Sequence, residues 1–516
     1  MKHINKLMSL LTGVALILTL NSCDKTITSL DNPTEPLVFT GLDNTGGTWK
    51  TIEAGDITAY KVPTPLAIGD AGYKAELQEI KDAQASLTSA QQDAINYWAT
   101  GSVARWNEIA REIAARYNIP PAPNPDGTYP VPSAANPSAY PKYPFANPPY
   151  AARAFAMLSV AQYDAMVAAW HYKYKHNRVA PSKADAGIKP LLPVSDLPAY
   201  PSEDAVLASA SYQLLTFLFP NEDEFLKTKA AELKNARFWA GANTKSDLAI
   251  GDSLGRWVAL KILARAKTDG MSTAGSTAAL PAVVDAIKAK GETPWLSLDI
   301  PARPGMLANF GKVKPWNLGT DGVAGVRPTA PPLQSSNQFK AEIAELKGYA
   351  KDLSREQFRI ANFWGDGAGS YTPPGHWNRV AANLILTNKL NPLRATRALA
   401  YMNTAIMDAG ISCWDTKYFY MTPRPFQVDN DIKTVLGTPN FPAYTSGHST
   451  FSAAAATVLG YFFPAEVSNL DNQAKEASES RIYGCIHYRS DCEVGLTAGK
   501  KIGQLAVDRA KKDGSN

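Results

Sequence analysis

Apolar residues recur with a helical period along most of the chain. From Lys74 onward, the segments LQEIKDAQASLTSAQQDAINYW, ARWNEIAREIAARY and AARAFAMLSVAQYDAMVAAW carry apolar side chains at positions i, i+3, i+4 and i+7. The strict alternation of apolar and polar residues that is typical of strands is scarce. Proline-rich stretches separate the helical segments and predict loops at 119–149, 181–201 and 271–335. The pattern therefore predicts an all-α fold.

The second half of the chain resembles the first at a constant spacing, the one that relates Asn147 to Asn391. NPPYAARAFA matches NPLRATRALA, DAMVAAWHYKY matches DAGISCWDTKY, LPAYPSED matches FPAYTSGH, and RAKTDG matches RAKKDG. At a second, larger spacing, INYWATG, which ends at Gly101, matches ANFWGDG, which ends at Gly367. Because one spacing serves several separate segments, we interpret the repeat as an internal duplication with units at about 85–270 and 350–514. A duplicated helical unit predicts two packed helical bundles.

The repeat and the loop-rich stretches divide the chain into five predicted parts. The stretch before the first helical period is rich in Thr, Pro, Gly and Asp, which is typical of a segment with little structure. The predicted parts are a signal peptide at 1–22, a flexible tether at 23–70, an N-terminal helical half at 71–270, a proline-rich connector at 271–350, and a C-terminal helical half at 351–516.

The start of the chain, up to Cys23, has the pattern of a targeting segment. MKHINKLMSLLTGVALILTLNSC contains two lysines, an apolar run of secretory length, and small or polar residues before Cys23. Its end, LNSC, resembles a bacterial lipobox, which implies that Cys23 is lipidated and that the protein is exported and anchored to a bacterial membrane, on the periplasmic side or at the cell surface. An ordinary signal peptide with an incidental cysteine is the alternative. No later segment reaches the roughly 18 apolar residues of a membrane span, so we expect a soluble body.

Charge and cysteine content exclude some classes of function. The chain has 52 basic and 47 acidic residues, a net charge of +5, and no run of Lys or Arg that would track phosphates, so it is not expected to bind nucleic acid. Cys485 and Cys492, if both are helical, are about 10 Å apart, which is too far for a disulfide. Either Cys413 pairs with one of them or all three are buried thiols. No cysteine spacing resembles a zinc site.

The second copy of the repeat carries polar groups that the first lacks. Two histidines, an arginine, an aspartate and a glycine of the second copy align with residues that lack their chemistry. The aligned pairs are His448 and Asp204, Gly447 and Glu203, His487 and Asn243, Arg424 and Ala180, and Asp366 and Thr100. Because these differences occur together, the sequence predicts one functional site, built only in the second half.

The polar groups of the second copy suit a tetrahedral oxyanion such as phosphate. Ser446 is placed to cap the helix that follows it, Gly447 lets a ligand approach the main chain, and the free N–H groups of a helix N-terminus bind anions. Fixed positive charge comes from three side chains, which are Lys417, Arg424 and Arg481.

Two histidines add chemistry to this anion site. His448 and His487 offer a nucleophile or metal ligand and an acid/base partner. Asp491 follows His487 by one helical turn and can orient its imidazole. Each piece alone has a simpler interpretation, since Ser446 and Gly447 could be only a helix cap and a packing contact, and a single histidine is usually structural. The order of the three segments favours a functional site.

Three motifs in this order resemble the signature of the superfamily of type 2 phosphatidic acid phosphatases and vanadium-dependent haloperoxidases. They read K-x6-R-P, S-G-H and S-R-x5-H-x3-D. In this chain they are Lys417 to Arg424-Pro425, Ser446-Gly447-His448, and Ser480-Arg481 to His487 and Asp491. Thr445 stands where the family usually has a proline before S-G-H.

The resemblance implies a cofactor and a role for each candidate residue. In the haloperoxidases, vanadate occupies the pocket, with vanadium bound to the equivalent of His487, and hydrogen peroxide and halide are the substrates. The candidate catalytic residues are then His448, as the acid/base, with His487, Asp491 and Lys417. The residues that would hold the vanadate are Lys417, Arg424, Ser446, Gly447, His448, Arg481 and His487.

The phosphatase branch uses the same pocket without vanadate. There, the equivalent of His487 attacks phosphorus and that of His448 protonates the leaving group. Trp414 and Phe441 resemble the aromatic residues on the halide side of chloroperoxidases, and Asp366 resembles the acid that pairs with the arginine of the third motif, here Arg481. However, Trp170 holds the place of Trp414 in the copy without a site, so this tryptophan could be core packing.

Length and duplication favour the haloperoxidase branch. Lipid-phosphate phosphatases of the superfamily are usually short and span membranes, and its small soluble acid phosphatases lack an N-terminal degenerate half. The prediction is therefore a vanadium-dependent haloperoxidase with an unknown organic acceptor. A soluble acid phosphatase is the alternative, and a non-catalytic lipoprotein that binds a partner or polysaccharide at the cell surface is the third interpretation.

Overall fold

Helices account for the regular structure of the chain. The structure, a computed structural model, describes residues 35–130, 144–319 and 322–515. Within these ranges there is no named strand, and the single isolated β-bridge joins Thr40 and Leu390. The all-α prediction is confirmed, and the residues from Pro36 onward form one compact unit.

The helices fall into two series that flank a short connecting helix. In the first half they are α1 (Ala71–Ala85), α2 (Ser89–Ala99), α3 (Ser102–Tyr117), α4 (Pro148–His176), α5 (Pro181–Ala184), α6 (Glu203–Leu218), α7 (Asp223–Trp239) and α8 (Lys245–Thr268). The connecting helix is α9 (Leu280–Lys288). In the second half they are α10 (Asn337–Lys351), α11 (Arg355–Phe363), α12 (Thr372–Thr387), α13 (Pro392–Tyr420), α14 (Pro425–Val428), α15 (Gly447–Phe462), α16 (Val467–Tyr483) and α17 (Arg489–Ala510).

The starts of these helices repeat at the spacings read from the sequence. The starts of α4 to α8 are related to those of α13 to α17 by the constant spacing of the sequence repeat, and the starts of α1 and α2 are related to those of α10 and α11 by the larger one. Buried ion pairs repeat as well, because Arg153 donates to Asp269 at 2.6 Å and Arg397 donates to Asp513 at 2.7 Å. The two halves therefore use matching contacts at matching positions.

The long helices α4 and α13 pack against each other in the core, and each has more buried residues than any other helix of the described chain. Each begins at an asparagine, Asn147 or Asn391, whose side chain accepts from a main-chain N–H of the first turn, with proline at the first helical position. Each ends at a residue with φ of 49°, Asn177 or Met421. Because these signals lie at matching positions, α4 and α13 begin and end alike and have the same length.

Glycines let α15 and α17 approach closely. A Cβ added at Gly499 would lie 2.2 Å from the carbonyl oxygen of Thr450, which only a shift of the helices could relieve. The first half has the same contact, because a Cβ at Gly255 would lie 2.3 Å from the carbonyl oxygen of Val206. The close approach places the start of α17 beside the start of α15.

Part of the segment before α1 packs against the helices, which differs from the tether with little structure predicted over 23–70. Trp49 and Ile52 are buried. The carboxylate of Asp164, on α4, accepts hydrogen bonds from the N–H groups of Ile52 at 2.7 Å, Glu53 at 2.8 Å and Ala54 at 2.7 Å. Such long-range contacts hold apolar residues that follow no helical or strand period.

The predicted connector over 271–350 also contains helices. Pro281 lies at the start of α9, where proline is compatible with a helix, so the loop expected at 271–335 is interrupted. Helix α10 belongs to the second series and is the counterpart of α1. Asp408, the counterpart of Asp164, accepts from the N–H groups of Trp316 and Asn317, both at 2.7 Å. Each long helix thus holds an irregular segment through one buried carboxylate.

The three cysteines of the described residues are buried free thiols, which settles the alternatives that the sequence leaves open. Cys485 lies between α16 and α17 with φ of 56°, so it is not helical. Helices long and apolar enough to cross a bilayer were not found in the ranges that the structure describes. The predicted signal peptide and Cys23 lie outside those ranges.

Candidate functional site

Five helix ends bring the three motifs together. Lys417 lies in the last turn of α13, Arg424 caps α14, Gly447 is the first residue of α15, Arg481 lies in the last turn of α16, and His487 precedes α17. A main-chain hydrogen bond joins the start of α15 to α17, because the N–H of Ser446 donates to the carbonyl of Asp491 at 2.9 Å.

Ser446 caps α15, as the sequence predicts. Its hydroxyl oxygen accepts from the N–H of Ser449 at 3.4 Å. The Tyr444–Thr445 peptide bond before it is cis, and so is the Tyr200–Pro201 bond at the matching place in the first half. The N-cap residues of the two halves also have nearly the same backbone angles, with φ of −65° and ψ of 122° at Ser446 and φ of −65° and ψ of 120° at Ser202.

The ammonium group of Lys417 holds the loop that leads to S-G-H. It is fully buried and donates to the carbonyls of Pro442 at 2.9 Å, Ala443 at 2.7 Å and Thr445 at 2.5 Å. Burial lowers the pKa of Lys417. Three carbonyl acceptors suit an ammonium group, which has three donors.

Arg424 offers a donor that no described residue uses. Its Nε donates to the carbonyl of Phe441 at 3.0 Å, and its Nη1 donates to the carbonyl of Ile486 at 2.6 Å and to Nε2 of His487 at 2.9 Å. Its Nη2 is buried without a hydrogen-bond partner in the described structure. A buried unsatisfied donor on a cation calls for an acceptor that the protein does not supply.

Arg481 is anchored by carbonyl oxygens rather than by Asp366, so the predicted pairing of these two residues is wrong. Its Nη2 donates to the carbonyls of Trp364 at 2.6 Å and Ala361 at 3.2 Å, and its Nε donates to the hydroxyl of Ser480 at 2.9 Å. Asp366 acts on Arg481 only at longer range, where its charge opposes the fall in pKa that burial causes. The side chains nearest to the carboxylate of Asp366 are instead those of His376, at 3.2 Å, and His448, at 3.8 Å.

His487 is held with one nitrogen directed at the cations. Its Nδ1 lies 2.8 Å from Oδ2 of Asp491, an oxygen that also accepts from the N–H of Tyr488 at 3.1 Å. A carboxylate at this distance assigns the proton to Nδ1 and leaves a lone pair on Nε2. Burial and the charges of Arg424 and Lys417 hold the pKa of His487 well below its ordinary value of 6.5. The imidazole is therefore neutral, as a ligand or nucleophile requires.

His448 lies on the first turn of α15 with an unused ring nitrogen. Its Nε2 is buried, has no hydrogen-bond partner in the described structure, and lies 3.8 Å from Oδ2 of Asp366. Burial and the charge of Arg481 lower its pKa well below 6.5, while the main chain of Trp364 acts in the opposite direction. A neutral histidine with a free nitrogen can accept a proton.

Sequence reasoning missed His376, on α12. Its Nδ1 lies 3.2 Å from Oδ1 of Asp366, and its ring stacks on Trp364 with centroids 4.3 Å apart. The matching position of the first half, counted from the starts of α3 and α12, is the buried Trp106. A comparison of α3 with α12 would have added His376 to the polar residues that only the second half has.

Aromatic rings form one wall of the site. The ring centroid of Trp414 lies 5.1 Å from that of Phe441 and 6.2 Å from that of Phe451, which the sequence did not single out. A Cβ added at Gly447 would meet Trp414 and Phe451 at 3.7 Å, an ordinary contact distance. Packing therefore does not require glycine at position 447.

The electrostatic balance of the site is positive. No carboxylate oxygen of the described residues lies within ion-pair distance of Lys417, Arg424 or Arg481. Burial lowers the pKa of Arg424 and of Arg481 to about 10, so both guanidinium groups keep their charge at neutral pH. The described ranges also hold no group of three or more His, Cys, Asp or Glu residues that could bind a metal cation. Two guanidinium groups and a buried lysine beside two neutral histidines fit an oxyanion.

Comparisons with known proteins agree with the motifs. Residues 397–511 match the model of the PAP2 superfamily. The fold is similar to the crystal structure of a bacterial vanadium-dependent iodoperoxidase, with a TM-score of 0.60 and 24% sequence identity over 79% of this chain and 95% of that one. It is also similar to a holo-type bacterial vanadium-dependent chloroperoxidase, with a TM-score of 0.51 and 14% identity over 75% of this chain and 97% of that one. No curated protein matches the sequence. The resemblance to this superfamily is confirmed.

Proposed function

We propose that the protein is a vanadium-dependent haloperoxidase, which oxidises halide with hydrogen peroxide. The observation that carries the proposal is the convergence of Lys417, Arg424 and Arg481 on one site where no carboxylate of the described residues lies within ion-pair distance of them, although Asp491 and Asp366 act on them at longer range. A tetrahedral oxyanion supplies negative charge close to the three cations and accepts the hydrogen bonds that Nη2 of Arg424 and the start of α15 offer.

The residues present fit vanadate as the oxyanion. The unused Nη2 of Arg424 would donate to one of its oxygens, and the lone pair on Nε2 of His487 would bind vanadium. Asp491 keeps the proton on Nδ1 of His487, so Nε2 has a lone pair, which accepts from Nη1 of Arg424 at 2.9 Å in the described structure and would exchange that bond for one to vanadium. When bound, vanadate supplies the Lewis acidity that activates peroxide toward halide.

His448 is proposed as the acid/base of the reaction. Hydrogen peroxide must lose a proton as it binds an electrophilic centre, and Nε2 of His448 is a neutral acceptor at the edge of the site. Its side chain is 16% exposed, whereas that of His487 is 3% exposed, so His448 is the histidine that incoming peroxide meets first. Asp366 and His376 are proposed to position it.

Trp414 and Phe441 are proposed to form the halide side. Their rings lie next to each other, and the guanidinium carbon of Arg424 lies 4.9 Å from the ring centroid of Phe441. A positively charged pocket with one apolar wall binds a large, weakly hydrated anion. Trp414 also donates from its Nε1 to the carbonyl of Met306 at 3.0 Å, which fixes the plane of its ring.

A soluble phosphatase is the second candidate. The match of residues 397–511 to the PAP2 superfamily model favours it, because the same geometry offers Nε2 of His487 as a nucleophile and His448 as the acid for the leaving group. A third candidate, a surface lipoprotein without catalysis, would require that the site bind no oxyanion at all.

The test measures halogenation and ester hydrolysis side by side. The purified full chain is given peroxide and iodide, bromide or chloride, with and without added orthovanadate, and parallel tubes without vanadate contain a chromogenic phosphate ester. The variant His487→Ala removes the proposed ligand, and Asn243→Ala changes its counterpart in the first half as a matched control. Vanadate-dependent halogenation that His487→Ala abolishes and Asn243→Ala retains is the expected result.

Two other outcomes assign the protein differently. Ester hydrolysis that vanadate inhibits, without halogenation, moves the protein to the phosphatase branch. Failure to bind vanadate or phosphate in a dialysis measurement favours the non-catalytic alternative.

Export and lipid attachment at Cys23 stay a prediction from the lipobox-like sequence LNSC. The protein is proposed to be held at a bacterial membrane through this lipid alone. Labelled fatty acid incorporated by the native chain and not by a Cys23→Ser variant is the expected result, and equal labelling of both would contradict it.

A further inference from the structure

The first half contains a cavity at the place that corresponds to the oxyanion site. Its volume is about 140 Å³. The residues that line it include the counterparts of five site residues, which are Ala180, Glu203, Asp204, Arg237 and Asn243. Residues of the second half, among them Leu386 and Pro392, also line it, so the cavity lies beside these counterparts at the contact with the second half.

The first half has also kept two of the three cations and the helix cap. Lys173 is fully buried and donates to the carbonyl of Pro198 at 2.5 Å, as Lys417 does to Pro442. Arg237 donates to the carbonyl of Trp98 at 3.1 Å. Ser202 caps α6 with φ of −65° and ψ of 120°, and Ser446 caps α15 with −65° and 122°.

Two carboxylates neutralise those cations. Oε2 of Glu203 lies 2.6 Å from Nζ of Lys173, and Oδ2 of Asp204 lies 2.6 Å from Nε of Arg237. These residues stand where the second half has Gly447 and His448. The negative charge that a bound oxyanion would bring is thus already present, covalently attached to the first turn of α6.

We infer that the first half is a latent oxyanion site that Glu203 and Asp204 close. An attached carboxylate acts at a high effective concentration, so free phosphate or vanadate cannot displace it. The two residues therefore restrict the chain to one oxyanion, and their removal opens a second site for a tetrahedral oxyanion. This inference is independent of the reaction that the second half catalyses.

The energetics favour binding once the carboxylates are gone. A buried cation without a partner is strongly unfavourable, and both Lys173 and Arg237 would be left in that state. Phosphate in the cavity would restore a counter-charge to both and could accept from the N–H groups at the start of α6. The ligand class is an inorganic tetrahedral oxyanion.

The test counts bound phosphate per chain by equilibrium dialysis with radiolabelled inorganic phosphate. The double variant Glu203→Gln with Asp204→Asn keeps side-chain size and removes both negative charges. Glu224→Gln with Asp431→Asn is the control, because it removes two negative charges from side chains that are 87% and 78% exposed. The expected result is one more phosphate per chain in the double variant than in the native chain, and no change in the control.

The increment separates this inference from the proposed function. If the second half binds no oxyanion, the native count is zero, and the inference still requires a count of one in the double variant. A third substitution, Lys173→Met, is expected to abolish the added phosphate. A folded double variant that binds no more phosphate than the native chain would overturn the inference.

A folding defect would also give an answer. If the double variant does not fold in phosphate-free buffer, the inference requires that inorganic phosphate restore its folding, because a ligand that binds only the native state stabilises it. The variant Glu203→Gly with Asp204→His, which copies the second half, is measured in the same way. If phosphate neither restores the folding of these variants nor binds to them, the inference is wrong.

Discussion

The substitution Asp491→Asn tests how the orientation of one imidazole controls the site. Oδ2 of Asp491 accepts from Nδ1 of His487 at 2.8 Å and from the N–H of Tyr488 at 3.1 Å. Asparagine has one acceptor oxygen where aspartate has two. The amide oxygen in the place of Oδ2 can still accept both bonds, but it is neutral and a weaker acceptor than a carboxylate, so it holds the proton on Nδ1 of His487 less firmly.

The expected loss of affinity follows from this change. A weaker acceptor on Nδ1 makes Nε2, the nitrogen that would bind vanadium, less basic, and loss of a hydrogen-bonded carboxylate behind a ligating histidine typically lowers affinity 10- to 100-fold. That range corresponds to about 1.4–2.7 kcal/mol. The free energy of unfolding should change by less than the free energy of vanadate binding, because the variant no longer buries a carboxylate.

The assay is vanadate affinity by equilibrium dialysis, with chemical unfolding measured on the same samples. The first half offers a matched control in Asp247, the counterpart of Asp491, whose carboxylate pairs with Arg178 and accepts from the N–H of Thr244 at 2.7 Å. Asp247→Asn should leave vanadate affinity unchanged. It should lower the free energy of unfolding by about 3–5 kcal/mol, because it leaves a buried arginine unpaired.

The reasoning fails if Asp491→Asn binds vanadate as tightly as the native chain. It also fails if the two aspartate variants lower the affinity equally, since the effect would then come from general destabilisation and not from the orientation of His487.

Three further predictions follow from particular contacts. Gly499→Ala should lower the free energy of unfolding by about 1–3 kcal/mol, because its Cβ would meet the carbonyl of Thr450 at 2.2 Å. Gly447→Ala, whose Cβ has room, should change the free energy of unfolding by no more than about 0.5 kcal/mol. Chemical unfolding of both variants measures the difference. The folded protein holds the pKa of His487 well below 6.5, so on acidification the unfolded state binds the proton first and stability falls below about pH 6.5. His487→Asn should therefore reduce the dependence of stability on pH by about 1.4 kcal/mol per pH unit in this range, measured without vanadate, and an unchanged dependence would contradict the depressed pKa. Asp366→Asn should lower kcat/KM for peroxide about tenfold while vanadate affinity stays within threefold, because its carboxylate lies near His448 and not against the oxyanion. An equal loss of kcat/KM and of vanadate affinity would mean that Asp366 supports the whole site.

The sequence predicted the helices and the three motifs because these depend on local spacing. Helical periods repeat every three to four residues, and the order of Lys417, Ser446 and His487 could be compared with a known signature. The partners of those residues depend instead on contacts between distant parts of the chain. Asp366 and Arg481 are far apart in the sequence. Nothing in the sequence showed that the guanidinium of Arg481 would donate instead to the carbonyls of Ala361 and Trp364.

The packed segment before α1 could not be predicted for the same reason. Ile52 and Trp49 follow no regular period, and the carboxylate that holds Ile52 lies 112 positions away on α4. The repeat helped where periodicity did not, because it separated residues that both halves share from residues that only one half has. The two spacings read from the sequence did not relate α3 to α12, and a comparison of these two helices would have added His376 to the site.

The contacts of Arg509 bear on how such a chain can evolve. This one guanidinium, on α17, donates to the carbonyl of Ile52 at 2.7 Å and to that of Trp316 at 2.9 Å, which are the two segments that lie against the long helices. Asp164 of the first half holds Ile52 in place, so loss of the first half would release Ile52 and leave a donor of the second half unsatisfied. Natural selection for the second half alone therefore also preserves the first, whose side chains remain free to change wherever they do not carry these contacts.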